Sequence, residues 1–530
     1  MLCASWNARS RRCRRFSRSR TCYRCSRAST NWRADCPPAQ RPIYCTICSA
    51  RVIRKSGSGS KASIRKRARA AGERMLTDTI AAIATPLGEG GLAVIRVSGL
   101  QALAVAEKCF RPAGKSAVRP VAAPSHTLHY GHIVCDGAVV DEVMLAVLRA
   151  PRTFTREDVV EVSCHGGLLA AKRVLDTILT SGARLAEPGE FTKRAFLNGR
   201  LDLAQAEAVV DLIHARTDLA LAAANEQLAG KLSARINQLR DQMLALLAHV
   251  EAHIDFPDED IAPDTLAQLV ERLEHGLAFM DELLRTANEG QILRRGIRAA
   301  IVGRPNAGKS SLLNQLLGHD RAIVSPIAGT TRDTIEETAS IRGIPVVFVD
   351  TAGLREAGST LEQEGIRRSR ESIVRADVIL HVLDGSESFT EEDERYLAEF
   401  AGKKRVLVRN KMDLPSRLEL PGDGGVSVVE VCCLSGVGLE LLKDTIKAMV
   451  WSGEVHAEML QVMINSRHQD ALRRAKEATH RTIALLRAGQ TLELAAMELR
   501  IGMNAVGEIV GKATTEDLLG SIFSQFCIGK

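Results

Sequence analysis

Apolar positions near the middle of the chain fall on one side of a helix. Ile236, Leu239, Met243, Leu246, Val250 and Ile254 recur at three- and four-residue steps, the period of a single stripe on an α-helix. The surrounding sequence, rich in Ala, Leu, Gln and Glu, has no proline from about Leu201 to Ile254; Pro257 and Pro263 end it, and a second helical pattern continues to about Asn288. On either side the period changes. Between Met75 and about Asn198, apolar runs such as Leu92–Val97 and Val139–Leu148 are punctuated by Gly, Pro and Asp, which predicts strands, and Leu168–Leu179 is patterned as a helix. From residue 297 to about 452, the runs Ile297–Val302, Val346–Val349, Val378–Leu383 and Arg405–Val408 alternate with helical stretches, which predicts a parallel sheet with crossover helices. After Trp451 the pattern is helical to the end. The expected fold is multidomain, α/β plus α. It comprises an extension (residues 1–74), an α+β domain (75–198), and a helical domain in two parts (199–295 and 454–530) interrupted by an inserted α/β domain (296–453).

Composition changes this picture mainly at the amino terminus. The 530 residues suffice for about three domains, and no apolar run reaches the ~18 residues of a membrane span, so a soluble protein is expected. The net charge of +8 is uneven: residues 1–74 carry 20 Lys and Arg against Asp35 and Glu73, a net +18, which leaves −10 for residues 75–530. Seven of the 13 cysteines also lie in that first segment, and the six beyond it are too sparse for a disulfide framework, which suits a reducing compartment. Three readings of residues 1–74 stand side by side. Cys22-x-x-Cys25 and Cys45-x-x-Cys48 have the spacing of a four-thiolate zinc site. The lack of apolar periodicity and the Ser-Gly stretch Ser56–Ser60 fit a tail or an upstream extension from a mis-chosen start. The Arg- and Ser-rich, acid-poor composition also fits an organelle transit peptide.

Candidate chemistry sits in short motifs of the inserted domain. Gly303-x4-Gly308-Lys309-Ser310 follows a predicted strand and precedes a predicted helix, the context of a phosphate-binding P-loop. Its backbone N–H groups, with Asn306, Ala307 and Ser311, would wrap the phosphates, Lys309 would reach the β- and γ-phosphates and Ser310 would bind Mg²⁺. Asn410-Lys411-x-Asp413 selects the base: the Asp413 carboxylate can accept from guanine N1–H and its exocyclic amine, whereas adenine leaves it unpaired. Gly329-Thr330-Thr331 supplies a second Mg²⁺ ligand in Thr331, and Asp350-Thr351-Ala352-Gly353 places Asp350 on a metal-bound water and the Gly353 N–H on the γ-phosphate. Where Ras-like switches carry a water-orienting glutamine this chain has Leu354, so Glu362 is the candidate for that task.

These residues together resemble the MnmE (TrmE) family of tRNA-modification GTPases. The marks are GRPNAGKSSL, AGTTRD, DTAGLRE followed by Glu362, the segment Asn198–Ile213, His165-Gly166-Gly167 and the closing Phe526-Cys527-Ile528-Gly529-Lys530; the resemblance covers essentially residues 75–530. It implies an amino-terminal tetrahydrofolate-binding domain that dimerises, a discontinuous helical domain and an inserted Ras-like P-loop G domain. It also implies K⁺ held by Asn306, Ser325, Ile327 and Thr330 between paired G domains, with Glu362 catalytic. For a 5-formyl- or methylene-tetrahydrofolate it implies Arg96, Glu161, Arg200 and Lys530, with Cys527 nearby as a second catalytic candidate. The implied partner is an FAD-containing MnmG-type protein, in a heterotetramer or larger complex that modifies C5 of a wobble uridine in certain tRNAs. The implied setting is the bacterial cytoplasm, or alternatively the mitochondrial matrix, with no membrane association. One departure is the guanine-side loop, Cys432-Cys433-Leu434-Ser435, where the family usually has Ser-Ala. An alternative is an Era- or Der-like ribosome-assembly GTPase, which shares the P-loop, GTTRD and DTAG signatures but would carry a basic RNA-binding module; the flanks here are acidic to neutral. A third reading, a folate-dependent transferase without switching, leaves the intact Lys309, Thr331, Asp350 and Asp413 set unexplained.

Overall fold

The computed structural model describes residues 78–114, 118–255, 266–318, 336–349, 373–420, 426–451 and 462–529. The first sheet comprises β1 (Ile80–Ile83), β2 (Leu92–Ser98), β3 (Phe110–Pro112), β4 (Thr127–Cys135), β5 (Ala138–Leu148), β6 (Val159–His165) and β7 (Arg184–Leu185), with helix α1 (Ala102–Cys109) before β3 and α2 (Leu168–Thr180) before β7. Its strands lie in the order β3-β4-β5-β6-β2-β1-β7, antiparallel except for β1 beside β7. The sheet buries one face: Ile95, Val97, Leu145 and Val162 pack with Val105 of α1 and Val174 and Ile178 of α2, as expected of an antiparallel sheet whose strands alternate apolar and polar positions.

The proline-free stretch after Leu201 is three helices rather than one. After α3 (Glu190–Leu197) come α4 (Leu203–His214), α5 (Asp218–Leu228) and α6 (Lys231–Asp255). The first break is set by Thr217, whose hydroxyl accepts from the Ala220 N–H as an N-cap, and the second by Gly230 in the left-handed region at φ 85°. The second helical pattern is α7 (Leu266–Arg285) followed by α8 (Ala287–Arg295), which runs beyond Asn288 to the threshold of the next strand.

The second sheet contains β8 (Ile297–Val302), β9 (Glu336–Ile341), β10 (Ile344–Val349), β11 (Val378–Asp384), β12 (Arg405–Asn410) and β13 (Ser427–Glu430), with α9 (Lys309–Gly318), α10 (Glu391–Glu399) and α11 (Leu439–Val450) between them. The order is β13-β12-β11-β8-β10-β9. Every pair is parallel except β9 on β10. The interior strands β10 and β11 are buried along their whole length, which is why they stand out as apolar runs. The antiparallel edge strand β9, sequence EETASI, has no such run and was not among the expected strands.

The chain then returns to helices: α12 (Ser466–Arg487), α13 (Leu492–Val510) and α14 (Glu516–Phe523). One core joins residues from before and after the second sheet, with Leu239, Met243 and Met280 packed beside Leu472, Leu499 and Ile509. Helix α5 looks the other way: Ala220 and Ala223 belong to the core of the second sheet, and Arg216 just ahead of it donates to the Thr338 hydroxyl on β9 at 2.8 Å. Among the described residues no helix is long and apolar enough to cross a membrane.

Candidate active site

The phosphate loop is shaped by two glycines that no other residue could replace without movement. Gly303 leaves β8 at φ 141°, and a Cβ there would lie 2.2 Å from the Val382 carbonyl oxygen of β11. Gly308, at φ 100°, would place a Cβ 2.1 Å from Nδ2 of Asn410. The backbone of the loop is thereby pressed against the ends of two neighbouring strands. Asn410, at 2% exposure, clasps it there: its Nδ2 donates to the Ala307 carbonyl at 2.9 Å, and its Oδ1 accepts from the Cys433 N–H at 3.2 Å. One buried amide thus ties the phosphate loop to both guanine-side segments.

Lys309 opens α9, and its Nζ donates to the carbonyls of Gly303 and Arg304 at 2.7 Å each, so the ammonium spans the loop. Ser310 and Ser311 are exposed in the same first turn, where free N–H groups and the helix dipole favour a polyanion. Asn306 is exposed with a left-handed backbone (φ 63°). The hydroxyl of Ser310 and the carboxamide oxygen of Asn306 are hard oxygen donors, the kind that suits Mg²⁺ and K⁺ respectively.

On the guanine side, Lys411 adopts φ 65° and reaches back to Asp384 at 2.6 Å. Burial pushes the Asp384 carboxyl up, but Lys411 and the Ser386 hydroxyl and N–H outweigh it and hold it below the usual carboxylate range. Asp413 is exposed, and its Oδ1 accepts from the Cys432 thiol at 3.2 Å. The neighbouring Cys433 is pushed up to about 11 by burial and by Cys432, so the Cys433 thiol stays protonated at neutral pH.

Two anchors behind the site were not singled out from sequence. Asp384 was legible as an acid closing an apolar run, the usual place for site residues in parallel sheets. The other, the Arg304 Nε contact of 3.0 Å with the buried Asp393 Oδ1, fixes the loop to the start of α10, and carried no local signal. Ser325, Ile327, Gly329, Thr330, Thr331, Asp350, Thr351, Ala352, Gly353 and Glu362 lie outside the described residues, as do Lys530 and the paired cysteines before residue 75. Among the described residues no group of three or more His, Cys, Asp and Glu could hold a metal ion.

A second constellation forms on the first sheet. Arg96 of β2 stands directly opposite Glu161 of β6, with Nε 2.7 Å from Oε1. The Arg96 guanidinium lies 5.8 Å over the Phe191 ring, and that of Arg200 lies 4.9 Å over the Phe154 ring. Arg200 also donates to the Thr153 carbonyl at 3.3 Å. The end of the chain docks beside them. Gly529 passes so close to β1 that a Cβ would meet the Ile83 carbonyl oxygen at 2.4 Å, and Gly189 donates its N–H to the Cys527 carbonyl at 3.4 Å. Ile83 pairs with Ile95, the neighbour of Arg96. The exposed Cys527 is therefore held at Gly189, two residues before the Phe191 ring that lies under Arg96, although some 430 residues separate Cys527 from Arg96 in sequence.

The model of the MnmE helical domain matches residues 203–527, and that of the GTP-binding protein TrmE amino terminus matches residues 79–200. The tRNA modification GTPase MnmE of Geobacillus kaustophilus is 48% identical over 461 residues, 86% of this chain and 99% of that protein. Its namesake in Enterococcus faecalis is 46% identical over 463 residues, 86% of this chain and 98% of that one. Among solved structures, Aquifex aeolicus Era bound to GDP and AlF4⁻ is 30% identical over 34% of this chain and 66% of its own, with a TM-score of 0.24. With an intact phosphate loop clasped to a guanine-type NKxD segment, and with likeness running nearly end to end along its relatives, the chain belongs to the MnmE family of tRNA modification GTPases.

Proposed function

We propose that this protein hydrolyses GTP with Mg²⁺ as one component of a tRNA-modifying complex. In it an FAD-containing MnmG-type partner and a tetrahydrofolate one-carbon unit build an aminomethyl or carboxymethylaminomethyl group at C5 of the wobble uridine. The observation that carries this reading is the pair of candidate sites in one chain: Asn410 closing the phosphate loop onto the NKxD segment, and the Arg96–Glu161 pair with Cys527 held at Gly189, just ahead of the Phe191 ring under Arg96.

At the first site Lys309 neutralises phosphate charge, Ser310 with Thr331 would hold Mg²⁺, and Asp413 reads guanine. K⁺ at Asn306, Ser325, Ile327 and Thr330 would supply the positive charge that an arginine finger supplies elsewhere, while Glu362 orients the attacking water. At the second, Glu161 accepts from the donor edge of a pterin much as Asp413 accepts from guanine, and Arg96, Arg200 and Lys530 hold the rest of the folate. The chain works as a homodimer in the cytoplasm. Its domains are residues 75–198, the two helical parts 199–295 and 454–530, and the G domain 296–453.

Hydrolysis in matched KCl and NaCl tests the nucleotide half. Na⁺ should slow it by about ten-fold or more while leaving GTP affinity little changed; equal rates remove the K⁺ ligands from the scheme. In the same assay Glu362→Ala should bind GTP normally and turn over slowly, and unchanged turnover moves water positioning to another residue.

A further inference from the structure

The stretch from Asp384, which ends β11, to Asp393 in the first turn of α10 braces both described halves of the nucleotide site, although no residue after Asp384 in it belongs to the nucleotide motifs. At its start Asp384 pairs with Lys411, and the Gly385 N–H donates to the Asn410 carbonyl at 2.8 Å, which ties it to the guanine side. At its end Asp393 Oδ1 lies 3.0 Å from Nε of Arg304, and Glu387 lies 3.2 Å from Nη2 of the same guanidinium, which ties it to the phosphate loop.

Arg304 is the pivot of that loop. Its carbonyl accepts from Lys309 Nζ at 2.7 Å and from the Ala307 N–H at 3.4 Å, so the main chain of residue 304 sets where the ammonium stands. Its side chain leaves the loop to meet Asp393, whose own side chain is 1% exposed. The two oxygens of Asp393 divide the work. Oδ2 accepts from the Thr390 N–H at 3.1 Å and from the Thr390 hydroxyl at 2.9 Å, which starts α10, while Oδ1 faces Arg304. Oδ1 accepts no aligned hydrogen bond, so the charge of Arg304 is what offsets the cost of burying this carboxylate. The His381 ring, which senses the Asp393 charge, offers no second cation, because burial pushes it down to about 4. Among the described residues, Arg304 alone forms an ion pair with Asp393.

We propose that Asp393 is a positioning residue for GTP: through Arg304 it sets the phosphate loop so that Lys309 meets the β- and γ-phosphates. The inference rests on the GTP-hydrolysing reading above. A carboxylate buried on α10 and a guanidinium on the loop hold each other in place, and loss of either charge leaves the other buried without its partner and frees residue 304 to move. Misplacing a positioning group by about 1 Å can cost about 10²-fold. The effect falls on the phosphates, because the base is read by Asp413 at the end of another strand.

The test uses the full chain and three ligands in equilibrium binding: a non-hydrolysable GTP analogue, GDP and GMP. The first two carry phosphates that Lys309 reaches and GMP does not, which separates a displaced loop from a generally loosened site. Asp393→Asn keeps an oxygen for Thr390 but turns an uncharged amide to Arg304. It should weaken the GTP analogue and GDP by about ten-fold or more and leave GMP little changed. Arg304→Gln should do the same, and the double variant should lose about as much as either single one, as expected of one shared contact. Thr390→Val, which loosens the start of α10 and spares the ion pair, should bind all three normally. Unchanged affinity in Asp393→Asn overturns the inference. So do equal losses for all three ligands, additive losses in the double variant, or a Thr390→Val loss as large as that of Asp393→Asn. If the wild type neither binds nor hydrolyses GTP, the GTPase reading falls with it, whereas a wild type that does both while Asp393→Asn matches it removes the inference alone.

Discussion

In the six-stranded sheet the described candidate nucleotide residues, Asn306 to Ser311 and Asn410 to Asp413, lie at and just beyond the carboxyl ends of β8 and β12, with Asp384 at the end of β11 paired to Lys411. In the seven-stranded sheet Arg96 and Glu161 meet in mid-strand, and the candidate site around them draws on Phe154, Arg200 and the far end of the chain. A parallel sheet points all its strand ends one way, so each site residue comes within a loop of a few contiguous residues. An antiparallel sheet offers a face, and filling out a site on a face requires distant segments to dock. The first kind of site depends on backbone shape, the second on long-range packing.

That contrast can be attacked directly, starting with the largest expected effect. Asp413→Asn should lower GTP affinity by about 10³-fold or more and transfer preference to xanthosine triphosphate, whose base presents the complementary edge; nucleotide competition measures it, and folate binding should not change. Gly308→Ala should weaken nucleotide binding by about 10²-fold, because the new methyl must displace the Asn410 clasp from a left-handed backbone. A normal affinity in that variant would mean that backbone shape does not control the first site. Arg96→Ala should cost about ten- to a hundred-fold in tetrahydrofolate affinity, since it leaves Glu161 without its partner, with GTP hydrolysis by the isolated protein unaltered; equilibrium binding and turnover together separate the two sites.

The smallest effect concerns the helices between them. Burial pushes the Asp211 carboxyl up to about 6 despite its pairing with Arg294. A carboxyl raised in the folded state favours folding most below its ordinary value, and that contribution is lost as pH rises through the folded value. Stability should therefore decline by about 2 kcal/mol between roughly pH 4 and pH 7 on this account, and Asp211→Asn should flatten the decline in thermal unfolding of the helical part. An unchanged pH profile would assign the decline to other groups.

The described part of the candidate nucleotide site was legible as local structure because its motifs are contiguous: the strand ending at Val302, the glycines, Lys309 and the Asn410–Asp413 segment follow from spacing alone. What escaped is what depends on neighbours. The role of Asn410 as a clasp on Ala307 needs β12 beside β8's loop, and the Arg304–Asp393 anchor joins segments about 90 residues apart. The breaks around Thr217 and Gly230 lie in Ala-rich sequence whose period gives little warning, and β9 lacks an apolar run because it is an edge. The candidate folate residues were reached only through family resemblance. Nothing in the spacing of Arg96, Glu161 and Cys527 announces that Gly529 will pass against Ile83.

On the function proposed above, nucleotide turnover at the first site drives chemistry that needs the second. The most direct measurement is tRNA modification by the Asp413→Asn protein with its FAD-containing partner and folate, supplied with either GTP or xanthosine triphosphate. Modification that follows xanthosine triphosphate and fails with GTP is the predicted result. Modification at the wild-type rate with GTP, or with no nucleotide, would contradict it.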